Sequence, residues 1–222
     1  KPVAVLVVSA HWEADSPYVS AAAQPETIHD FYGFPEPLYR LAYACPGAPE
    51  LASRVATLLG EAHLETRVDM QRGLDHGAWI PLLLMYPDAD VPVTQLSVQT
   101  SLGSDHHFAV GRALRPLRDE GVLIVGSGGL THNLREADLR SKSDELPDWA
   151  AQFRSWAVDA IEHGRHEDLL QYRSRAPHAV RNHPSEEHFL PLFVAAGAAD
   201  SGTRVHTDVA YRSLAMDAFR FD

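Results

Sequence analysis

Cysteine is almost absent: Cys45 is the single one in 222 residues. It cannot form an intrachain disulfide, and alone it cannot build a thiolate metal site. Such usage suits a reducing compartment, most simply the cytoplasm. No apolar run is long enough to span a membrane, so no membrane partner is expected. The opening run Val3–Val8 is short and leads into Ser9-Ala10-His11-Trp12 without a cleavage site, so it does not read as a signal peptide. Basic residues are scarce too. Lys and Arg number 19 against 30 Asp and Glu, for a net charge of −11. A general binder of phosphate backbones needs clustered Lys and Arg, so no nucleic-acid partner is expected. The glycine-rich turn Gly126-Ser127-Gly128-Gly129 has no lysine after it and does not match the dinucleotide fingerprint.

Apolar residues make up 45% of the chain, enough to fill a substantial core. Val3–Val8, Val91–Val98 and Gly121–Gly126 read as strands, and Tyr211–Phe221 as a final one. Helical spacing predicts helices over Pro49–Leu59, ending at Gly60, and over Gly77–Tyr86. Two more are predicted over His107–Glu120, disturbed by Pro116, and over Asp148–His163. Ser185 is expected to cap a further helix, with Glu186, Glu187 and His188 in its first turn. Residues 13–48 are rich in turn formers and aromatics, and a loop of that length is usually functional. Strands alternating with helices predict an α/β single domain with a central, mostly parallel sheet flanked by helices on both faces. Trp149 and Trp156 suit either a core or a subunit interface, which leaves a homo-oligomer open.

Against that background, histidine stands out, because imidazole is the commonest metal ligand and the usual acid/base near neutral pH. Five short segments carry it: Ser9-Ala10-His11-Trp12, Thr27-Ile28-His29-Asp30-Phe31, Leu74-Asp75-His76-Gly77, Leu130-Thr131-His132-Asn133-Leu134 and Glu186-Glu187-His188-Phe189-Leu190. His11 and His132 follow strand-like runs, where open α/β sheets place their chemistry. His11 reads as a metal ligand, and His132, behind its flexible turn, as a general base or acid. Glu187 and His188 offer alternative ligands for one metal. Two His and a carboxylate suit Fe(II) or a catalytic zinc equally. Asp30 and Asp75 each adjoin a histidine, and adjacent residues rarely pair, so any Asp–His contact should cross between loops. Phe31, Tyr32, Phe34 and Trp79 offer ring surfaces to an aromatic substrate.

In order, Ser-Ala-His-Trp, Thr-Ile-His-Asp-Phe-Tyr-Gly-Phe-Pro, Asp-His-Gly-x-Trp-x-Pro-Leu, Met-Tyr-Pro-Asp-Ala-Asp, Ser-Gly-Gly-x-Thr-His-Asn-Leu and Glu-His-Phe-Leu-Pro-Leu closely resemble the class III, LigB-like extradiol ring-cleavage dioxygenases. The branch resembled is that of the 4,5-DOPA extradiol dioxygenases, and the likeness covers nearly the whole chain. The resemblance implies one catalytic domain over residues 1–222 that opens a catechol ring beside its two hydroxyls with O2. It implies Fe(II), with Zn(II) as the alternative. By the same resemblance His11 and His188 (or Glu187) are metal ligands, His132 is the acid/base, and His29 and His76 line the substrate pocket. The family's His-Gly-Ser-Pro-like ligand segment has no counterpart, so the chain is expected to lack an N-terminal strand and that first ligand. Two alternatives keep other chemistry in view: a zinc hydrolase working through metal-bound water, or a non-catalytic interaction module of the Memo kind.

Overall fold

Strand β1 (Ala4–Glu13) is the axis of the sheet, and its residues Val5 to Val8 are at most 1% exposed. β-branched residues buried on both faces are what a central strand between parallel neighbours requires. The computed structural model describes residues 1–141, 143 and 145–222. In chain order there follow β2 (Tyr18–Ser20), α1 (Pro49–Glu61), β3 (Arg67–Asp69), α2 (His76–Met85), β4 (Val93–Val98), α3 (Gly103–Leu114), α4 (Pro116–Asp119) and β5 (Val122–Ser127). Next come α5 (Asp148–Glu162), α6 (His166–Leu170), α7 (Tyr172–Arg175), α8 (Ala179–Asn182), α9 (Leu190–Gly197), β6 (Gly202–His206), β7 (Val209–Ala210), β8 (Leu214–Ala215) and β9 (Ala218–Phe221).

The fold class is α/β, with a mostly parallel sheet and flanking helices. The chain divides into two compact units: Lys1–Ser101 with Ala113–Ser127, and Leu102–Arg112 with Gly128–Asp222. The first holds a five-stranded sheet in the order β3-β2-β4-β1-β5. β1 runs parallel to β4 and β5, β2 runs parallel to β3, and only the β2–β4 contact is antiparallel. Helix α2 buries Ala78, Trp79 and Leu82 in a core with Val5, Val7, Tyr43, Leu74 and Val93. Between the pairs Val8–Leu96 and Glu13–Val98 the register shifts, and His11 lies within that irregular stretch. A bulge re-aims side chains, which is how one residue leaves the strict alternation of a strand.

The second unit is mainly helical, with the two-stranded pairs β6–β9 and β7–β8. Helices α3 and α9 cross at two glycines. A Cβ on Gly111 would come 2.1 Å from the Val194 carbonyl oxygen, and one on Gly197 would come 2.2 Å from that of Phe108. The aromatic core beside α9 joins Tyr172 to Phe189, with ring centroids 4.7 Å apart, and Phe189 to Phe193 at 5.2 Å.

Several boundaries differ from those expected, each for a local reason. Helix α1 runs past Gly60, and the left-handed residue beyond it is His63 (φ 60°). Pro116 does split the predicted 107–120 helix, because it lacks the N–H needed to continue α3. The single final strand gives way to β8 and β9, and β8 starts only at Leu214 because Tyr211 and Arg212 adopt positive φ in the turn that pairs β7 with β8. Ser185 caps no helix: its hydroxyl bonds Glu187, and α9 begins only at Leu190. His188 therefore sits in a turn before the helix rather than in its first turn.

Because backbone faces backbone at the α3–α9 crossing, Gly111→Ala should lower stability by about 1–3 kcal/mol through overpacking. Denaturant unfolding checks this; a variant as stable as the parent would show that the helices can part without cost.

Candidate active site

Helix α2 starts where it does because Asp75 caps it. Asp75 Oδ1 accepts the Ala78 N–H at 3.2 Å, and the carboxylate is fully buried. A buried charge needs a complete set of partners, and Asp75 has one. Ser9 Oγ donates to Oδ1 at 2.7 Å, Gln95 Nε2 donates to Oδ2, and Arg72 Nη2 lies 3.4 Å from Oδ2. The Arg72 guanidinium also covers the Trp12 ring at 4.5 Å. Ser9 Oγ in turn accepts the His11 N–H at 3.2 Å. One carboxylate thus fixes the backbone of His11 on β1 and the start of the helix whose first residue is His76. Gly77 is required here: its Cβ would lie 2.5 Å from Ser9 Oγ and 2.9 Å from His11 Cδ2.

The outcome is a donor group of His11, Asp30 and His76, whose ligand atoms all lie within 4.8 Å of one another. Asp30 Oδ1 accepts the His76 N–H at 2.9 Å, while Oδ2 lies 3.0 Å from His76 Nδ1 and 3.7 Å from His11 Nδ1. The two imidazoles sit 3.9 Å apart, tilted by 46°. Burial works to raise the Asp30 pKa, but the His76 N–H bond and the adjacent imidazole outweigh it and hold it below the usual value. His76 Nδ1 is buried without an aligned hydrogen bond among the described residues, despite its short approach to Asp30. A buried ring nitrogen left in this way is costly in a closed protein and natural for a metal donor. Two imidazoles and one carboxylate at this spacing fit a divalent cation with ligand bonds of about 2.0–2.2 Å.

His29 stands in an aromatic setting beside that group. Its Nε2 bonds the Leu41 carbonyl at 2.9 Å, and its ring lies 5.6 Å from Trp79 and 5.8 Å from Phe31. Phe31 in turn meets His76 edge-on at 5.5 Å. Trp79 is locked by its indole N–H on the Ile28 carbonyl, 2.9 Å away. Tyr32 and Phe34 are exposed.

The second unit carries its own group, His132, Glu187 and His188, again with donor atoms within 4.8 Å of one another. The His132 and His188 rings stack at 3.4 Å with an 8° tilt. Glu187 Oε1 lies 3.0 Å from His188 Nδ1 and accepts the Ser185 hydroxyl at 3.1 Å. The His188 hydrogen bond is the main reason the Glu187 carboxyl is held down to about 2, against the opposing effect of burial. Gly128 is needed where the loop after β5 passes this turn, since its Cβ would be 2.1 Å from the His188 carbonyl oxygen. The His132 segment is pinned on both sides. Thr131 Oγ1 donates to the Ser213 carbonyl at 2.8 Å, and Asn133 Nδ2 donates to that of Arg181 at 2.6 Å. His183 is fully buried, and burial pushes its imidazole down to about 3.

The structure thus brings His11 and His76 into one cluster and His132 and His188 into another, with His29 beside the first. Sequence reasoning missed Asp30 as a member of the first group and Asp75 as its anchor. Asp75 had a readable signal, a capping residue just before an apolar helical run. For Asp30 the expected cross-loop contact with a histidine is found, but its partner, 46 residues away, could not be read locally.

The chain is similar to known proteins along nearly its whole length. The family model described as the catalytic LigB subunit of aromatic ring-opening dioxygenase matches residues 1–218. A 4,5-DOPA dioxygenase extradiol from Beta vulgaris is 50% identical over 205 residues, covering 92% of this chain and 76% of that protein. Its Escherichia coli K12 namesake is 41% identical over 208 residues, covering 90% and 74%. A crystal structure of an uncharacterized Escherichia coli K12 protein superposes with a TM-score of 0.83 at 35% identity, over 100% of this chain and 86% of that one. The chain belongs to the LigB family and is an extradiol aromatic ring-opening dioxygenase, an oxidoreductase.

Proposed function

We propose that the enzyme opens catechol-type rings with O2 using Fe(II), with Zn(II) as the alternative ion. The observation that carries this is the His11–Asp30–His76 donor group, in a protein whose family match runs almost end to end. His11 is the proposed ligand on β1, with Asp30 and His76 as the donors beside it. His188 is the proposed ligand of the second cluster. Its Nδ1 faces Glu187 at 3.0 Å, the kind of carboxylate contact that orients a ligating imidazole. Bound there, iron supplies a Lewis acid for the diol oxygens and a redox partner for O2.

The protein's own part is binding, orientation and proton movement. Phe31 and Trp79 give flat apolar faces against which a catechol ring can lie, and His29 and His76 offer polar edges to its hydroxyls. His29 donates Nε2–H to the Leu41 carbonyl, since a carbonyl only accepts, which leaves Nδ1 as its acceptor. His132 is the proposed acid/base. Its imidazole takes a proton from a diol hydroxyl and returns it as the ring opens. Its backbone N–H is held by the Asn182 carbonyl at 3.0 Å, which limits where the ring can swing. The carbon–carbon bond beside the diol breaks, and both atoms of O2 enter the product, so no outside reductant is consumed. We place the enzyme in the cytoplasm. Among the described residues no helix is long and apolar enough to cross a membrane. Burial pushes the Cys45 thiol up to about 11, so it is chemically quiet.

Protein loaded anaerobically with Fe(II) should consume O2 with at least one member of a catechol panel that includes DOPA, giving a yellow ring-opened product. Zinc-loaded protein should not. Absence of uptake with iron bound would contradict the proposal. His11→Ala should lose bound metal by elemental analysis, and retention of both metal and rate would remove its ligand role. His132→Ala should keep its metal while kcat falls by about 10²–10⁴; an unchanged kcat would remove the acid/base role.

A further inference from the structure

We propose that His183 is a positioning residue for ring opening, holding the His132 loop through a hydrogen bond from its buried Nε2 to the Leu130 carbonyl. The inference goes beyond the reaction itself and rests on the acid/base role of His132 proposed above.

His183 follows α8 and opens the turn that carries Glu187 and His188. Its Nε2 lies 3.0 Å from the Leu130 carbonyl oxygen. A carbonyl only accepts, so Nε2 carries the proton and Nδ1 is left as a bare lone pair. That Nδ1 is buried and has no hydrogen-bond partner among the described residues. The neighbouring residue adds a second tie, because the Asn182 carbonyl accepts the His132 N–H at 3.0 Å. Residues 182 and 183 therefore hold the segment 130–132 at two points, and only the His183 tie comes from a side chain. His183 is itself well fixed. Its ring stacks on Phe189 at 4.7 Å with a 28° tilt, and its carbonyl accepts from Arg173 Nη1 at 2.6 Å.

Packing does not explain the choice of residue. Phe153, Tyr172 and Phe189 surround this ring, and an apolar side chain would fill the same space without burying an unpaired nitrogen. An unsatisfied buried polar atom costs stability, and proteins keep such defects mainly where function uses them. What the imidazole adds over a hydrocarbon is one N–H, aimed at the loop two residues before His132. Loss of that tie frees His132 to leave its reactive position, and small misplacements of this kind are slow at the chemical step rather than weak in binding.

The test compares His183→Leu and His183→Met with His183→Gln in iron-loaded enzyme, with His132→Ala alongside. Leu and Met fill the cavity without a donor, and two such variants guard against one failing to fold. Gln can place an amide N–H toward the Leu130 carbonyl. The proposal predicts that Leu and Met lower kcat by about tenfold to a hundredfold. KM, metal content and thermal midpoint should stay at or near parental values, with Gln recovering most of the rate. Leu or Met with parental kcat, or Gln as slow as Leu, would overturn it. If His132→Ala keeps its turnover, the acid/base role falls, and this inference falls with it. If His132→Ala is inactive while Leu is fully active, only the inference about His183 falls.

Discussion

A single buried carboxylate, Asp75, organises the first unit. Taken out of water it would be strongly destabilising, yet it is matched by Ser9, Gln95, Arg72 and the amide of Ala78. Breaking one member of such a set leaves an uncompensated charge, so the whole constellation is fixed together. The consequence is geometric. β1 and α2 meet with His11 and His76 at 3.9 Å, and Gly77 is the only residue type that lets them approach so closely.

The second unit reaches a similar composition by other means. Among the described residues, no fully buried charge plays the part of Asp75 around His132 and His188. Instead, main-chain and side-chain hydrogen bonds from Asn182, His183, Thr131 and Asn133 tie down the loop, and a glycine lets the two chains touch. The rings differ accordingly, tilted by 46° in the first group and nearly parallel, at 8°, in the second. A tilted pair with a carboxylate between its nitrogens suits shared coordination. A stacked pair with a carboxylate on one member suits one oriented imidazole beside another that handles protons.

Much of this was visible in the chain before any coordinates. The central strand showed as an unbroken valine-rich run, because a strand covered on both faces must be apolar throughout. The chemistry showed as ordered histidine motifs, because few other residues bind metals and move protons near neutral pH. What stayed hidden was nonlocal or too short to carry a period. β2 and β3 have three residues each. The Asp30–His76 contact joins distant loops, as the rarity of pairing between adjacent residues implies, but nothing local names His76 as the partner. The position of His188 was misjudged for a related reason. Ser-Glu-Glu is a good helix start by composition, but here Ser185 satisfies Glu187 instead of the backbone, and the helix waits for Leu190-Pro191. For His183, nothing local in the sequence tells a buried tether from a solvated ring.

The central claim is that the histidine and carboxylate groups of this chain serve ring opening by O2 rather than hydrolysis. Mass spectrometry of the product formed by iron-loaded enzyme under ¹⁸O2 in ordinary water tests it most directly. The account predicts that both labelled atoms are incorporated into the ring-opened product, allowing for exchange of any aldehyde oxygen with solvent. A product that takes its new oxygen from water alone, and forms equally well without O2, would contradict it.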